Sequence, residues 1–110
     1  MSGRLIHSTA TIASSGTTSN EIKCGVNPIC GVYIPAGFTG TTIGFVSATT
    51  ESGTYYTVRN TDGALSYTVS ASTYLQIDPS VLAGCDSIKI VAGSSQSSTT
   101  ELIVSQRDIS

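Results

Sequence analysis

Few side chains in this chain could do chemistry, and their spacing says what that chemistry is not. His7 is the sole histidine and sits among Ser8, Thr9 and Thr11. To act as a base it would need a nucleophile and an orienting acid held by other segments, and no residue stands out for either role. It reads as a surface or interface residue. Five residues separate Cys24 from Cys30, outside the usual zinc spacing of about two to four, and no second Cys/His pair follows. The acidic residues Glu21, Glu51, Asp62, Asp78, Asp86, Glu101 and Asp108 are dispersed, whereas a calcium loop needs them clustered. No glycine-rich phosphate loop precedes a helix. The expectation is no catalytic, cofactor-binding or metal site, no cofactor, and no enzyme activity.

The cysteines leave two readings open. An odd count, Cys24, Cys30 and Cys85, does not suit a secreted disulfide framework. Either all three are small core residues, or Cys24 and Cys30 bridge across Gly25–Ile29 in an oxidising medium.

Tyrosines remain. Tyr55 and Tyr56 are adjacent, so a strand sends one into the core and the other outward. Tyr33 and Tyr74 are candidates for the outer side. Exposed tyrosines stack on sugars or anchor protein interfaces. The absence of Trp weighs against a dedicated glycan platform.

The elements that must position these residues are strands. Ile6, Ser8, Ala10 and Ile12 alternate with His7, Thr9 and Thr11. The same period of two places Ile22 with Cys24, Val32 with Ile34, Ile43 with Phe45, Tyr56 with Val58, Leu65 with Tyr67 and Val69, Leu75 with Ile77, Ile88 with Ile90, and Leu102 with Val104. The predicted core includes Phe38, Phe45, Tyr56, Val58, Leu75, Ile77, Ile88 and Ile90. Asp62-Gly63 is the strongest hairpin signal, and Glu51-Ser52-Gly53 closes another. Asp78 as cap, Pro79 at the first helical position and Gly84 as stop predict one short helical turn near 79–83. The Ser/Thr-rich stretches 14–20 and 93–98 read as exposed hairpin loops. Eight to nine short strands at regular spacing predict an all-β fold, a single antiparallel β-sandwich, jelly-roll-like or barrel-like.

Composition bounds the rest. The 110 residues suffice for one domain, 1–110, with residues 1–8 as a candidate N-terminal arm. Charged residues make up 11%, against roughly 25% in an average soluble domain, and Ser and Thr fill about three positions in ten. With a mean hydropathy of +0.18 and a net charge of −2, disorder is not expected. Arg4, Lys23, Arg59, Lys89 and Arg107 are scattered singly, which argues against nucleic acid. No apolar run approaches the roughly 20 residues that span a bilayer. The first eight residues lack the apolar core of a signal peptide. The expected setting is therefore a cytoplasm until assembly.

Ile34-Pro35-Ala36-Gly37-Phe38-Thr39-Gly40-Thr41 leads to Phe45, and Tyr74, Asp78-Pro79, Gly84, Ile88-Lys89 and Gly93 follow downstream. This cadence, over roughly residues 30–109, resembles small β-sandwich structural proteins of tailed bacteriophages, of the head decoration or cement type. The resemblance implies a virion protein on the head surface that binds the major capsid protein, self-associates as a homotrimer at local three-fold positions, and stabilises junctions between capsid subunits. Low charge and strands with little of the Lys and Pro that guard sheet edges fit such a role. The alternative is a carbohydrate- or receptor-binding module of a tail fibre or adhesin.

Overall fold

Alternating apolar and polar side chains drive this chain into strands whose inner faces close on one core. The computed structural model describes residues 5–24, 28–49, 53–60, 63–78, 82 and 86–107. In chain order the strands are β1 (Leu5–Ile12), β2 (Ile22–Lys23), β3 (Ile29–Ile34), β4 (Thr42–Ala48), β5 (Tyr56–Thr57), β6 (Arg59–Asn60), β7 (Gly63–Ala64), β8 (Ser66–Thr68), β9 (Thr73–Gln76), β10 (Ser87–Ala92) and β11 (Thr100–Arg107). No helix occurs among the described residues.

The pairing is nested. β1 pairs with β11, β2 with β10, β3 with β9, and β4 with both β5 and β8, all antiparallel. The chain is thus a long two-stranded ribbon that doubles back between β4 and β8. Rolling that ribbon up brings β11 beside β3 and β10 beside β4. Two main sheets result, ordered β1-β11-β3-β9 and β2-β10-β4-β5 with β8 also on β4, and β6 and β7 form a small two-stranded sheet. This is the wrap of a jelly roll, one of the two forms expected from the strand pattern. Ile12, Ile29, Val32, Phe45, Ile77, Leu82, Ile88, Ile90, Leu102 and Val104 are fully buried between the sheets. Phe38 joins them, while Val58 and Leu75 are half-buried at the margin of the core.

Several expectations shift. Tyr56, expected inside, is 67% exposed. It pairs with Ser47 on a two-residue edge strand, where neighbours exist on one side only and an open hollow of about 430 Å³ lies alongside. The strands expected around 55–59 and 65–70 are each broken. Val58 and Leu65 fall at the breaks, where the Val58 amide donates to the Phe45 carbonyl and the Leu65 amide to the Val58 carbonyl. Counting these broken strands whole gives nine among the described residues, within the eight to nine expected. β6 and β7 pair with Gly63 opposite Asn60, so Gly63 begins a strand at φ +125° and is not a central turn residue as the Asp62-Gly63 signal predicts; Asp62 is outside the described residues. So are most of the 79–83 turn, residues 51–52 and Cys85. Within 79–83 only Leu82 is described, and it is buried in the core. Leu5–Ser8, half of the expected arm, belong to β1 and pair with Val104–Arg107. Residues 1–4 are outside the described residues.

The loops 14–20 and 93–98 are not simply exposed tips. Ser19 is buried; its hydroxyl accepts from the Ile90 amide and donates to the Asn20 carbonyl. The Ser15 amide donates to the Gln96 carbonyl, and the Gln96 amide to the Gly16 carbonyl. Backbone groups of both loops are satisfied by each other, which explains why polar segments pack at one end of the sandwich.

Candidate interaction surface

The outward phase of the four-stranded sheet should be polar where it meets water. Here it is not. Register aligns Thr9, Ile103, Tyr33 and Tyr74 as one row across β1, β11, β3 and β9. Among the described residues, the exposed large hydrophobics Leu5, Tyr33, Tyr74 and Ile103 lie on this face, and Tyr56 belongs to the other sheet. Scattered single apolar residues on a surface need no explanation, but a contiguous patch does.

Two rings form the centre of the patch. Tyr33 and Tyr74 sit with centroids 4.5 Å apart and planes tilted by 45°. His7 approaches Tyr33 at 6.2 Å from the β1 side. The Tyr74 ring reaches across β3, and its hydroxyl donates to the Cys30 carbonyl at 3.5 Å. This is feasible because Gly31 has no side chain: a Cβ there would fall 1.9 Å from the Tyr74 hydroxyl oxygen. Gly31 thus lets an aromatic ring lie flat on the sheet.

A bulge sets the phase of β3. Ser105 faces Gly31, but Gln106 faces Ile29, so Cys30 is an extra residue in β3. The insertion turns both Ile29 and Val32 inward although three positions separate them. It also leaves Cys30 half-buried, its thiol donating to the Ser105 carbonyl at 3.4 Å. Cys24, in contrast, is a core residue. Charge appears at the two ends of the patch, with Glu101 opposite Thr11 and Arg107 opposite Leu5. An apolar centre with a polar rim is the usual anatomy of a protein interface.

The opposite sheet differs. Lys23 lies 3.6 Å from the Asp86 carboxylate, Lys89 stacks 4.5 Å over the Tyr55 ring, and the Tyr55 hydroxyl donates to Glu21. Its charges are engaged within the protein. Tyr67 packs edge-on against Phe45, and burial, followed by the nearby charge of Asp78, pushes its phenol pKa up. Among the described residues, no three of His, Cys, Asp and Glu come close enough to hold a metal ion.

Sequence reasoning found Tyr33, Tyr74 and His7 as outward candidates, and the fold gathers all three on one face. It missed Leu5 and Ile103. The signal was present in Ile103, an apolar residue on the outer phase between the inward Leu102 and Val104.

No protein-family model matches the chain, and no curated protein matches it. Among solved structures, the chain is similar to the crystal structure of the SPBc2 prophage-derived protein YomS. The two share 16% identity with a TM-score of 0.56, over 94% of this chain and 95% of the other. At that identity the likeness shows a common all-β fold across nearly the whole length of both chains.

Proposed function

We propose that this protein is a non-enzymatic virion structural protein of a tailed phage, a head decoration or cement protein that docks on the capsid exterior through the outer face of β1-β11-β3-β9. The observation that carries the reading is the patch of Leu5, His7, Tyr33, Tyr74 and Ile103, apolar at its centre and charged at its ends. The jelly roll suits the role, since this wrap recurs among capsid domains. Likeness in fold to a prophage-derived protein is in keeping with it.

Docking is mechanical. Each copy covers parts of adjacent major capsid subunits, adds buried area at the junction, and opposes the outward pressure of packaged DNA. Desolvating Tyr33 and Tyr74 supplies affinity at little cost in side-chain entropy. Three copies gather around each quasi-three-fold position, as the shell's own symmetry dictates. Electron microscopy of particles carrying a tagged copy tests the placement. Density outside the head at quasi-three-fold positions is expected; density on the tail or baseplate contradicts it.

A second reading, a carbohydrate-binding module, draws on one feature. Beside Tyr74 a hollow of about 370 Å³ is lined by Cys30, Gln76, Ile77 and Arg107. A stacking ring next to amide and guanidinium groups suits a sugar. The aliphatic Leu5 and Ile103 in the same patch favour a protein partner instead. Binding to a glycan array would support the sugar.

A further inference from the structure

Among the described residues the sheet edges are short, with one exception. The edge strands β9, β2, β5 and β8 span four, two, two and three residues. Keeping edges short is a common protection against unwanted pairing. β1 is an edge strand of eight residues. Only its end is covered, where Ile12 bridges Ser19; the rest has no Lys, no Pro, and no bulge in its pairing with β11.

The direction of its backbone groups follows from one contact. The Thr11 carbonyl accepts from the Asn20 amide at 3.2 Å, and the Thr11 amide donates to Asn20 Oδ1 at 2.7 Å. Thr11 therefore points both groups away from β11. Along an antiparallel strand the orientation alternates, so Thr9, His7 and Leu5 present their N–H and C=O groups at the same edge. Asn20 caps only Thr11. Among the described residues no backbone bond closes the edge at Leu5, His7 or Thr9.

We propose that β1 pairs antiparallel with β1 of a second copy about a two-fold axis at His7. The register is selected by counting hydrogen bonds. With His7 opposite His7, Leu5 meets Thr9 and Thr9 meets Leu5, and all three edge residues of each strand are satisfied. An axis at Ser8 would oppose Leu5 to Thr11, which Asn20 already occupies. The residues brought face to face, Leu5, His7 and Thr9, place no acidic or always-charged side chains together. The contact is isologous, the commonest form of homodimer. It joins two four-stranded sheets into one of eight strands and makes the two patches around Tyr33 and Tyr74 continuous. It is a contact of the isolated chain in solution, separate from the three-copy arrangement proposed on the capsid, and does not depend on that reading.

Proline tests this contact selectively. Among the described residues the His7 and Thr9 amides have no backbone partner, so His7→Pro and Thr9→Pro remove donors that the dimer uses, on the type of strand that tolerates proline. Sedimentation velocity of the wild-type chain, up to high-micromolar concentration, is expected to show a dimer of the 11.3 kDa chain. Both proline variants are expected to sediment as monomers with the wild-type circular dichroism spectrum. A wild-type chain that stays monomeric throughout, or folded variants that still dimerise, would overturn the proposal. Should the variants not fold, amide hydrogen exchange of the wild type decides: protection of Leu5, His7 and Thr9 that rises with protein concentration supports the contact, and fast exchange at all concentrations refutes it.

Discussion

The side-chain amide of Gln96 grips the backbone of Thr39 in both directions. Its Oε1 accepts from the Thr39 amide at 2.9 Å, and its Nε2 donates to the Thr39 carbonyl at 2.8 Å. Gln96 imitates a short piece of neighbouring strand. It is 2% exposed, and the same Oε1 also accepts from the Thr100 hydroxyl at 3.0 Å. Three segments, around residues 15, 39 and 96, meet on this one residue.

Gln96→Leu removes these partners and leaves the Thr39 amide and carbonyl without them. A buried polar group left unsatisfied costs about 1–3 kcal/mol. A loss of at least that size in chemical denaturation is expected. An unchanged midpoint would show that the loops hold together without Gln96.

Phe45 and Tyr56 separate core from edge. Phe45 is 1% exposed, and Phe45→Ala should cost about 3–5 kcal/mol. Tyr56→Ala should stay within about 0.5 kcal/mol, as at other exposed positions. Urea titrations of the two variants check the pair, and equal losses would contradict the assignment of faces.

Gly31 and Tyr74 form a coupled pair. Gly31→Ala must swing the Tyr74 ring off the sheet, because its new Cβ occupies the position of the ring's hydroxyl end. The near-UV circular dichroism of the Tyr33–Tyr74 pair should fall in Gly31→Ala. Adding Tyr74→Ala should make the Gly31 substitution almost silent, a non-additivity that a double-mutant cycle measures. Strict additivity would mean the ring does not lie over Gly31.

Tyr67 gives a pH signature. Burial and then Asp78 raise its phenol pKa above the ordinary 10.0, so the folded protein holds this proton more tightly than the unfolded chain. The contribution is therefore full below pH 10.0 and is lost as pH rises through the folded value. Tyr67→Phe should flatten the fall in stability on the alkaline side, followed by thermal unfolding between neutral and alkaline pH. The same alkaline slope in both proteins would contradict it.

Strand phase was legible because burial leaves a period of two in sequence: Ala10 with Ile12, Ile43 with Phe45, and Ile88 with Ile90 all face inward as read. Strand order was not, because Leu5 pairs with Arg107 across nearly the whole chain and no local signal encodes that register. Tyr56 shows the limit of periodicity: on a two-residue edge strand, an alternating position does not guarantee cover. The bulge at Cys30 was hidden for a related reason, since an extra residue is visible only once β11 is laid beside β3. Gln96 sits in a Ser-rich loop that looks exposed by composition, and its burial depends on Thr39, far away in sequence. The aromatic patch was half legible: Tyr33 and Tyr74 were outward candidates, but only the sheet order sets them beside Ile103 and His7.

The most direct test of the docking face is co-sedimentation with undecorated phage heads, comparing the wild type with a Tyr33→Ala/Tyr74→Ala variant. Both residues are exposed, so the variant should remain folded, as circular dichroism will verify. The wild type is expected to saturate the heads, and the folded variant to lose affinity by at least about 2 kcal/mol, the scale of an aromatic hot spot. A folded variant that saturates heads at the wild-type concentration would contradict docking through this face.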